Sequence, residues 1–144
     1  MPELPEVETM RRGIAGLAGA RIDRISRPRC QRKPIAIVPA LANLRRRAEG
    51  ARIERTDRIG KRVVLWLSTG DALVFEPRMT GLVLCADPPT TEHRRLRLSV
   101  RPESVKTTKT AQPQELLFWD RRGLGRVHLY SPETYADQLA SALG

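Results

Sequence analysis

The sequence has little of what disulfide-stabilised and metal-binding proteins need. Cys30 and Cys85 are its two cysteines, and they lie far apart without forming a C-x-x-C pair. This spacing indicates neither a disulfide framework nor a zinc site. His93 and His128 are its two histidines, which is too few for a zinc or iron centre built within this chain. We therefore expect no cofactor in this chain.

Long apolar runs and an excess of acidic residues are also missing. No apolar run approaches the roughly 18 residues of a membrane span, and the chain does not open with a charged region followed by an apolar stretch. A soluble, intracellular protein is expected. The 26 Lys and Arg against 16 Asp and Glu give a formal net charge of +10, which favours a polyanionic partner, although a membrane surface stays open on charge alone. A length of 144 residues predicts one domain.

Hydrophobic periodicity predicts a mainly β protein with flanking helices. Val7, Met10, Ile14 and Leu17 recur at spacings of three and four, which predicts an amphipathic helix over 7–17. Further helices are predicted at 39–48 and 132–143, and an irregular hairpin loop at 102–114. An apolar period of two predicts about eight strands, at 21–25, 51–55, 61–68, 72–75, 82–86, 96–101, 115–119 and 126–130. That number of short strands indicates a β-sandwich or a β-barrel.

The first nine residues, M-P-E-L-P-E-V-E-T, carry the most specific signal. They resemble the N-terminal signature of the formamidopyrimidine-DNA glycosylase and endonuclease VIII family, and nine matching positions are far more specific than a four-position motif. The resemblance implies that removal of Met1 exposes the secondary amine of Pro2 as a nucleophile, with Glu3 as proton donor and Glu6 as a supporting carboxylate. An α-amino group has a lower pKa than a lysine side chain. A helix N-terminus lowers that pKa further and the two glutamates raise it, so the sequence leaves the balance open.

Four further stretches resemble parts of the family that contact DNA. Lys61, which opens the strand K-R-V-V-L-W-L, resembles a lysine that contacts the phosphate beside the lesion. The family flips the target nucleotide out of the duplex and fills the gap with side chains from two loops. Met79 in F-E-P-R-M-T-G matches the first loop, and Arg122 in D-R-R-G-L-G matches the second, with Leu124 as the apolar wedge. His93 resembles a DNA-contacting histidine, with a surface histidine of no role as the alternative.

Both loop motifs depart from the usual family pattern. Glu76 and Pro77 stand where a His-Leu-like pair is usual, Arg121 stands in place of Pro, and Leu124 in place of Phe. A leucine wedge unstacks bases by bulk and cannot stack as phenylalanine does, so the departures concern which lesions and opposite bases are preferred. Three arginines that follow His93 are expected to add to a phosphate-binding surface: Arg94, Arg95 and Arg97.

The resemblance covers nearly the whole chain and implies the family's fold and activity. The implied fold is mainly β (α+β), a two-sheet antiparallel β-sandwich of about eight strands flanked by an N-terminal helix and one or two further helices. The implied protein is a bifunctional DNA glycosylase and AP lyase, acting as a monomer on double-stranded DNA with damaged bases or abasic sites in the bacterial cytoplasm at the nucleoid. Residues 1–144 match the catalytic domain, while the family's helix-two-turn-helix and zinc-finger domains, with their zinc, would follow it. A DNA-binding module without turnover stays open as the alternative.

Overall fold

The computed structural model describes residues 4–102 and 114–135. Helix α1 spans Leu4–Gly13 and is followed by a 3₁₀ turn, Ala15–Leu17, while α2 spans Leu41–Ala48. The strands are β1 (Ala20–Ser26), β2 (Ala36–Val38), β3 (Ile53–Ile59), β4 (Arg62–Leu67), β5 (Ala72–Glu76), β6 (Gly81–Leu84), β7 (Arg94–Pro102), β8 (Gln114–Asp120) and β9 (Arg126–Tyr130). Residues 132–135 are helical, and the remainder of the helix expected at 132–143 lies outside the described residues, as does the interior of the loop expected at 102–114.

The strands form two sheets, which confirms the β-sandwich. One sheet has the order β1-β7-β8-β6 and the other the order β2-β9-β5-β4-β3. All pairs are antiparallel except β2 and β9, which are parallel. The short strand β2 was not predicted, because three residues give too few positions for an alternating pattern. The strand predicted at 51–55 begins later and extends to Ile59.

The core lies between the sheets and takes alternate side chains from each strand. Phe75 of β5 meets Phe118 of β8 across the sandwich, with ring centroids 5.8 Å apart. Around them lie aliphatic side chains that are fully buried, among them Leu65, Leu73 and Leu98. Burying such a side chain contributes about 1.5–3 kcal/mol relative to exposure, so this apolar layer fixes the frame on which the loops are mounted.

Helix α1 packs across one open side of the sandwich, against the edge strands β3 and β6. Val7, Met10 and Ile14 are buried there, which confirms the predicted apolar face. The α-helix ends at Gly13 and its continuation is a 3₁₀ turn, so the expectation of one helix over 7–17 was wrong in its last turn. Gly13 and Gly16 disfavour an α-helical continuation because glycine loses the most conformational freedom there.

Within residues 4–102 and 114–135, no helix is long and apolar enough to cross a membrane.

Candidate nucleic-acid interface

Strand register brings three connecting loops to the same end of the sandwich. Val63 of β4 pairs with Phe75 of β5, so the β3–β4 turn lies beside the end of β5. Glu76 pairs with Arg126, the first residue of β9. In the other sheet, β6 begins opposite the end of β8. The β3–β4 turn, the first loop (residues 77–80) and the second loop (residues 121–125) therefore share one end, which we call the loop end.

Helix α1 begins at this loop end. The carbonyl oxygen of Gly13, the last residue of α1, accepts a hydrogen bond from Sγ of Cys85 at 3.5 Å. Cys85 follows the last residue of β6, whose first residue lies at the loop end. The helix consequently runs away from the loop end. Pro2 and Glu3, the expected nucleophile and proton donor, lie outside the described residues, and Leu4 is the first residue after them.

The α1 helix is tied to the turn that bears Lys61. Glu8 pairs with Arg58 of β3 at 3.2 Å and with Arg11 at 2.6 Å. Its hydrogen bond from Arg11, assisted by those from Arg58 and Arg12, lowers the pKa of Glu8 to about 2. Arg58 in turn donates from Nη1 to the carbonyl oxygen of Gly60 at 3.1 Å. This link, which the sequence did not reveal, connects the helix to the β3–β4 turn next to the exposed Lys61.

The first loop presents a methionine from a tight turn. Met79 is 42% exposed, one of two large hydrophobic side chains that are exposed among the described residues. The amide of Gly81 donates to the carbonyl oxygen of Pro77 at 2.9 Å, and a Cβ on Gly81 would lie 2.5 Å from that oxygen. The turn therefore requires glycine at position 81. Arg78 takes a positive φ of 52°, and its side chain is exposed beside Met79.

Glu76, which precedes the first loop and departs from the usual family pattern, does not place an unpaired acid at the interface. Its side chain is largely buried, with the residue 7% exposed, and Oε1 lies 3.4 Å from Nε of Arg62 on the neighbouring strand. Pro77 is also buried. The acidic substitution is therefore neutralised within the sheet, and the exposed part of the first loop remains basic and apolar.

The second loop is organised around the buried carboxyl group of Asp120. This residue is 0% exposed. Its Oδ1 accepts from the amide of Gly123 at 3.2 Å, and its Oδ2 accepts from the amide of Gly125 at 2.6 Å. Gly123 has a φ of +68°, and a Cβ there would lie 2.5 Å from the carbonyl oxygen of Lys33. Asp120 therefore winds the loop so that Arg122 is exposed while Leu124 is half-buried.

Thr80 joins the two loops. Its hydroxyl donates to Oδ1 of Asp120 at 2.6 Å, and Oγ1 of Thr80 in turn accepts from the amide of Arg122 at 3.2 Å. The side chain of Thr80 in the first loop is thus hydrogen-bonded both to the buried Asp120 and to the backbone of the exposed Arg122 in the second loop. Met79 and Arg122 consequently lie next to the same contact, as the resemblance predicted for two loops that act together.

Arg95 adds a third segment to this arrangement. The residue is 3% exposed, so the expectation that it belongs to a phosphate-binding surface was wrong. Its Nε donates to the carbonyl oxygen of Asp120 at 2.7 Å, and its Nη1 donates to that of Lys33 at 2.5 Å. An irregularity in the β7–β8 register between Arg94 and Leu96 interrupts the side-chain alternation, as expected of a bulge. Arg97 pairs instead with Glu115 at 2.8 Å.

His93 lies at the loop end but is mostly covered. It precedes β7, is 8% exposed, and packs edge-on against Trp119 with ring centroids 5.6 Å apart. Its carbonyl oxygen accepts from the amide of Asp120 at 2.9 Å. It also borders an open cavity shared with Arg29 and Arg32. The histidine therefore has a structural role in the described residues, and its contact with DNA stays a prediction.

The exposed charge at the loop end is strongly positive. An open cavity of about 450 Å³ lies between Lys33, Arg78 and the second loop. The exposed basic residues of this end are Arg27, Arg29, Arg32, Lys33, Lys61, Arg78, Arg121 and Arg122. Two acids at this end do not offset the charge, because Asp120 bonds to backbone amides and Glu76 to Arg62, whereas Glu6 and Glu92 are exposed. Such a positive surface attracts an extended polyanion, and the low-dielectric core beneath it strengthens the field.

Known proteins resemble this chain in both sequence and fold. A formamidopyrimidine-DNA glycosylase of Thermobifida fusca is 32% identical over 130 residues, covering 88% of this chain and 43% of that protein. One from a Caulobacter species is 43% identical over 89 residues, covering 61% and 30%. The chain thus spans less than half the length of these curated relatives.

Solved structures show the same fold. The Lactococcus lactis formamidopyrimidine-DNA glycosylase, non-covalently bound to DNA containing an AP site, superposes with a TM-score of 0.76 at 23% identity, covering 97% of this chain and 49% of that one. The same enzyme in complex with FAPY-dG-containing DNA gives 0.76 at 23% identity, with 96% and 48% covered. The profile of the formamidopyrimidine-DNA glycosylase N-terminal domain matches residues 1–127. This chain therefore belongs to the formamidopyrimidine-DNA glycosylase family and corresponds to its N-terminal domain.

Proposed function

We propose that this chain binds double-stranded DNA at the loop end and forms the catalytic half of a base-excision DNA glycosylase. The observation that supports this most is the convergence at one basic end of Lys61, the Met79 loop, the Arg122 loop and the beginning of α1. An enzyme that acts on a base in a duplex must hold the backbone and extrude the nucleotide. The exposed arginines and lysines supply the backbone contacts, and the two joined loops supply the insertion.

The proposed nucleophile is the amine of Pro2, after removal of Met1. Its lone pair attacks C1′ of the deoxyribose, the glycosidic C1′–N bond breaks, and the base leaves with a proton supplied by Glu3. The C1′–O4′ bond then breaks as the proton of the amine passes to O4′, and because the amine is secondary the product is a positively charged iminium. The iminium acidifies the C2′ protons, so loss of one of them to a base expels the 3′ phosphate, which is the AP lyase step. Glu6, exposed in the first turn of α1, is proposed to support these proton transfers, and the chemistry needs no cofactor from this chain.

The loop residues are proposed to stabilise the extruded state. Met79 and Arg122 enter the duplex together, and Leu124 acts as the apolar wedge beside them. Lys61 offsets the charge of the phosphate next to the lesion, and His93 adds a contact at the edge of the surface. Oxidised or ring-opened bases are the proposed substrates, since the family name specifies a formamidopyrimidine.

Borohydride trapping tests the nucleophile directly. Reduction of the iminium on a damaged or abasic duplex should link the protein covalently to DNA, and peptide mass mapping should place the link on Pro2. A version that retains Met1 should lose trapping, because the Pro2 nitrogen is then a non-nucleophilic amide. Pro2→Gly keeps a terminal amine and should keep part of the trapping.

Glu3→Gln gives the matched test of the proton donor. It should slow base removal more than cleavage at a preformed abasic site, where no base has to leave. A cross-link that maps to Lys61, or that persists with Met1 attached, would reject Pro2 as the nucleophile.

A second candidate function is a DNA-binding module without turnover. The observation that favours it is the exposed basic surface of the loop end, which accounts for duplex binding without a contribution from any catalytic residue. Binding to duplex DNA that weakens by orders of magnitude between about 50 and 200 mM salt, combined with no trapping by the Met1-free chain on any damaged duplex, would favour this module. Affinity that is independent of salt would contradict DNA binding through the basic surface.

A further inference from the structure

The exposed side chains proposed to enter DNA have no bonds that fix their own positions in the described structure. Met79 and Arg122 project from loops, and loops are the most mobile parts of a fold unless they are bonded to the frame. Two side chains that must enter one duplex gap need a defined separation. Hydrogen bonds between the two loops hold the backbone next to each of these side chains.

Asp120 is the anchor. It is the last residue of β8 and is 0% exposed. Burying a carboxyl group is costly unless each oxygen is hydrogen-bonded. Here Oδ1 accepts from Thr80 and Gly123, and Oδ2 accepts from Gly125. All three partners belong to the two loops, so the carboxyl group serves the loops and not an ion pair with a neighbouring strand.

Thr80 is the element that makes the two loops one unit. It follows Met79 in the chain, and its hydroxyl oxygen accepts from the amide of Arg122 while its proton goes to Asp120. The bonded atoms are therefore next to the inserting residues, and the inserting side chains themselves stay unobstructed. Arg95 holds the same site from below through the carbonyl oxygen of Asp120.

We propose that Thr80 and Asp120 are positioning residues that set the spacing between Met79 and Arg122, so that both enter a DNA duplex in one motion. This inference rests on the proposed function, because the spacing matters only if the loop end engages DNA. Neither residue is proposed to contact DNA or the reacting atoms. The contribution of Thr80 is geometric, and it comes from one hydroxyl group.

The test compares Thr80→Val, which keeps the shape and removes the hydroxyl, with Thr80→Ser, which keeps the hydroxyl. The full chain is mixed with a duplex that carries a tetrahydrofuran abasic-site analogue and 2-aminopurine opposite to it, so that fluorescence reports opening of the stack. Thr80→Val should lower the rate of opening by about tenfold, the size expected from losing a hydrogen bond to a charged group. Its salt dependence of binding should be unchanged because no charge is removed, and Thr80→Ser should restore opening.

Hydrogen exchange gives a second measurement on the protein alone. The amide of Arg122 should exchange about tenfold faster in Thr80→Val, since its acceptor is gone, and that of Gly16, far from the loops, should not change. If Thr80→Val fails to fold, Thr80→Ala removes the same hydroxyl without adding a methyl group against Asp120 and takes its place.

The outcomes separate the inference from the proposed function. Normal binding with equal opening and equal exchange in the Val and Ser variants would overturn the inference alone. Absence of salt-dependent duplex binding by the unchanged chain would overturn the proposed function and the inference with it. Slower opening in Thr80→Val with recovery in Thr80→Ser would support both.

Discussion

Gly125→Ala is expected to displace the second loop from the core. A Cβ on Gly125 would lie 2.6 Å from Cζ of Phe118, 2.8 Å from Oδ2 of Asp120 and 2.9 Å from the carbonyl oxygen of Glu76. Real Cβ atoms do not approach this closely. Phe118 is fully buried in the core and Glu76 is strand backbone, so neither yields easily. The loop must move away instead.

The expected cost has two parts. Overpacking of a filled site costs about 1–3 kcal/mol. Displacing the loop also breaks the 2.6 Å hydrogen bond from the Gly125 amide to Asp120, and losing a bond to a buried charged group costs roughly 1.5–3 kcal/mol. Together they give about 2.5–6 kcal/mol. At roughly 2–4 °C per kcal/mol for a chain of this size, the Tm should fall by about 5–24 °C.

The assay is thermal unfolding followed by circular dichroism, repeated as urea unfolding to check that the m value is unchanged. Gly16→Ala is the matched control, because a Cβ at Gly16 meets nothing within 4 Å, and it should change stability by no more than about 0.5 kcal/mol. If Gly125→Ala unfolds within about 2 °C of Gly16→Ala, the second loop has room that the described contacts do not allow, and the reasoning is refuted.

Three further substitutions test charged side chains in different surroundings. Glu8→Gln should destabilise the chain at neutral pH but not at acid pH. The folded pKa of Glu8 is about 2 against 4.5 for the free group, so its stabilisation is present above about pH 4.5 and is lost as the pH falls towards 2. The free energies of urea unfolding of the two proteins should therefore converge as the pH falls, and a constant difference would contradict the Arg11 and Arg58 contacts. Arg95→Met should lower the Tm and leave unchanged the slope of log binding constant against log salt concentration for duplex DNA. Lys61→Met should reduce that slope by about one. An equal loss of slope in both variants would place Arg95 at the DNA.

The parts of the fold that follow from local patterning were predictable from the sequence. The buried face of α1 is a helical stripe, and the β4–β5 hairpin has Gly70 with a φ of +92° at its turn, as the Thr-Gly-Asp signal indicated. What could not be predicted depends on partners distant in the chain. Strand β2 exists because Ala36 to Val38 pair with the first residues of β9. Three residues are too few to show an alternating pattern in the sequence.

The loops that carry the candidate residues could be located from the sequence, whereas the contacts that hold those loops could not, and the roles of the candidates at DNA stay predictions. Met79, Arg122 and Lys61 stand in motifs, and the structure brings their loops to one end. The sequence analysis named Asp120 only as the first residue of the motif D-R-R-G-L-G and predicted no role for it. An aspartate before a glycine-rich turn nevertheless often accepts hydrogen bonds from backbone amides. Arg95 was assigned to the surface together with Arg94 and Arg97 because all three follow His93, but the irregular pairing between Arg94 and Leu96 turns it inward.

This division between supports and exposed residues bears on how lesion preference would arise. Phosphate contacts by exposed arginines are independent of sequence and scale with salt, so they raise affinity for every duplex alike. Discrimination must then come from the energy of opening one nucleotide, which is least for damaged or mismatched bases. In the proposed function, Met79, Arg122 and Leu124 would sense that energy, and by our inference Thr80 and Asp120 would fix their positions. Changes at Leu124 or Thr80 should therefore alter the ratio of rates between lesions, while removal of a surface arginine should lower all of them together.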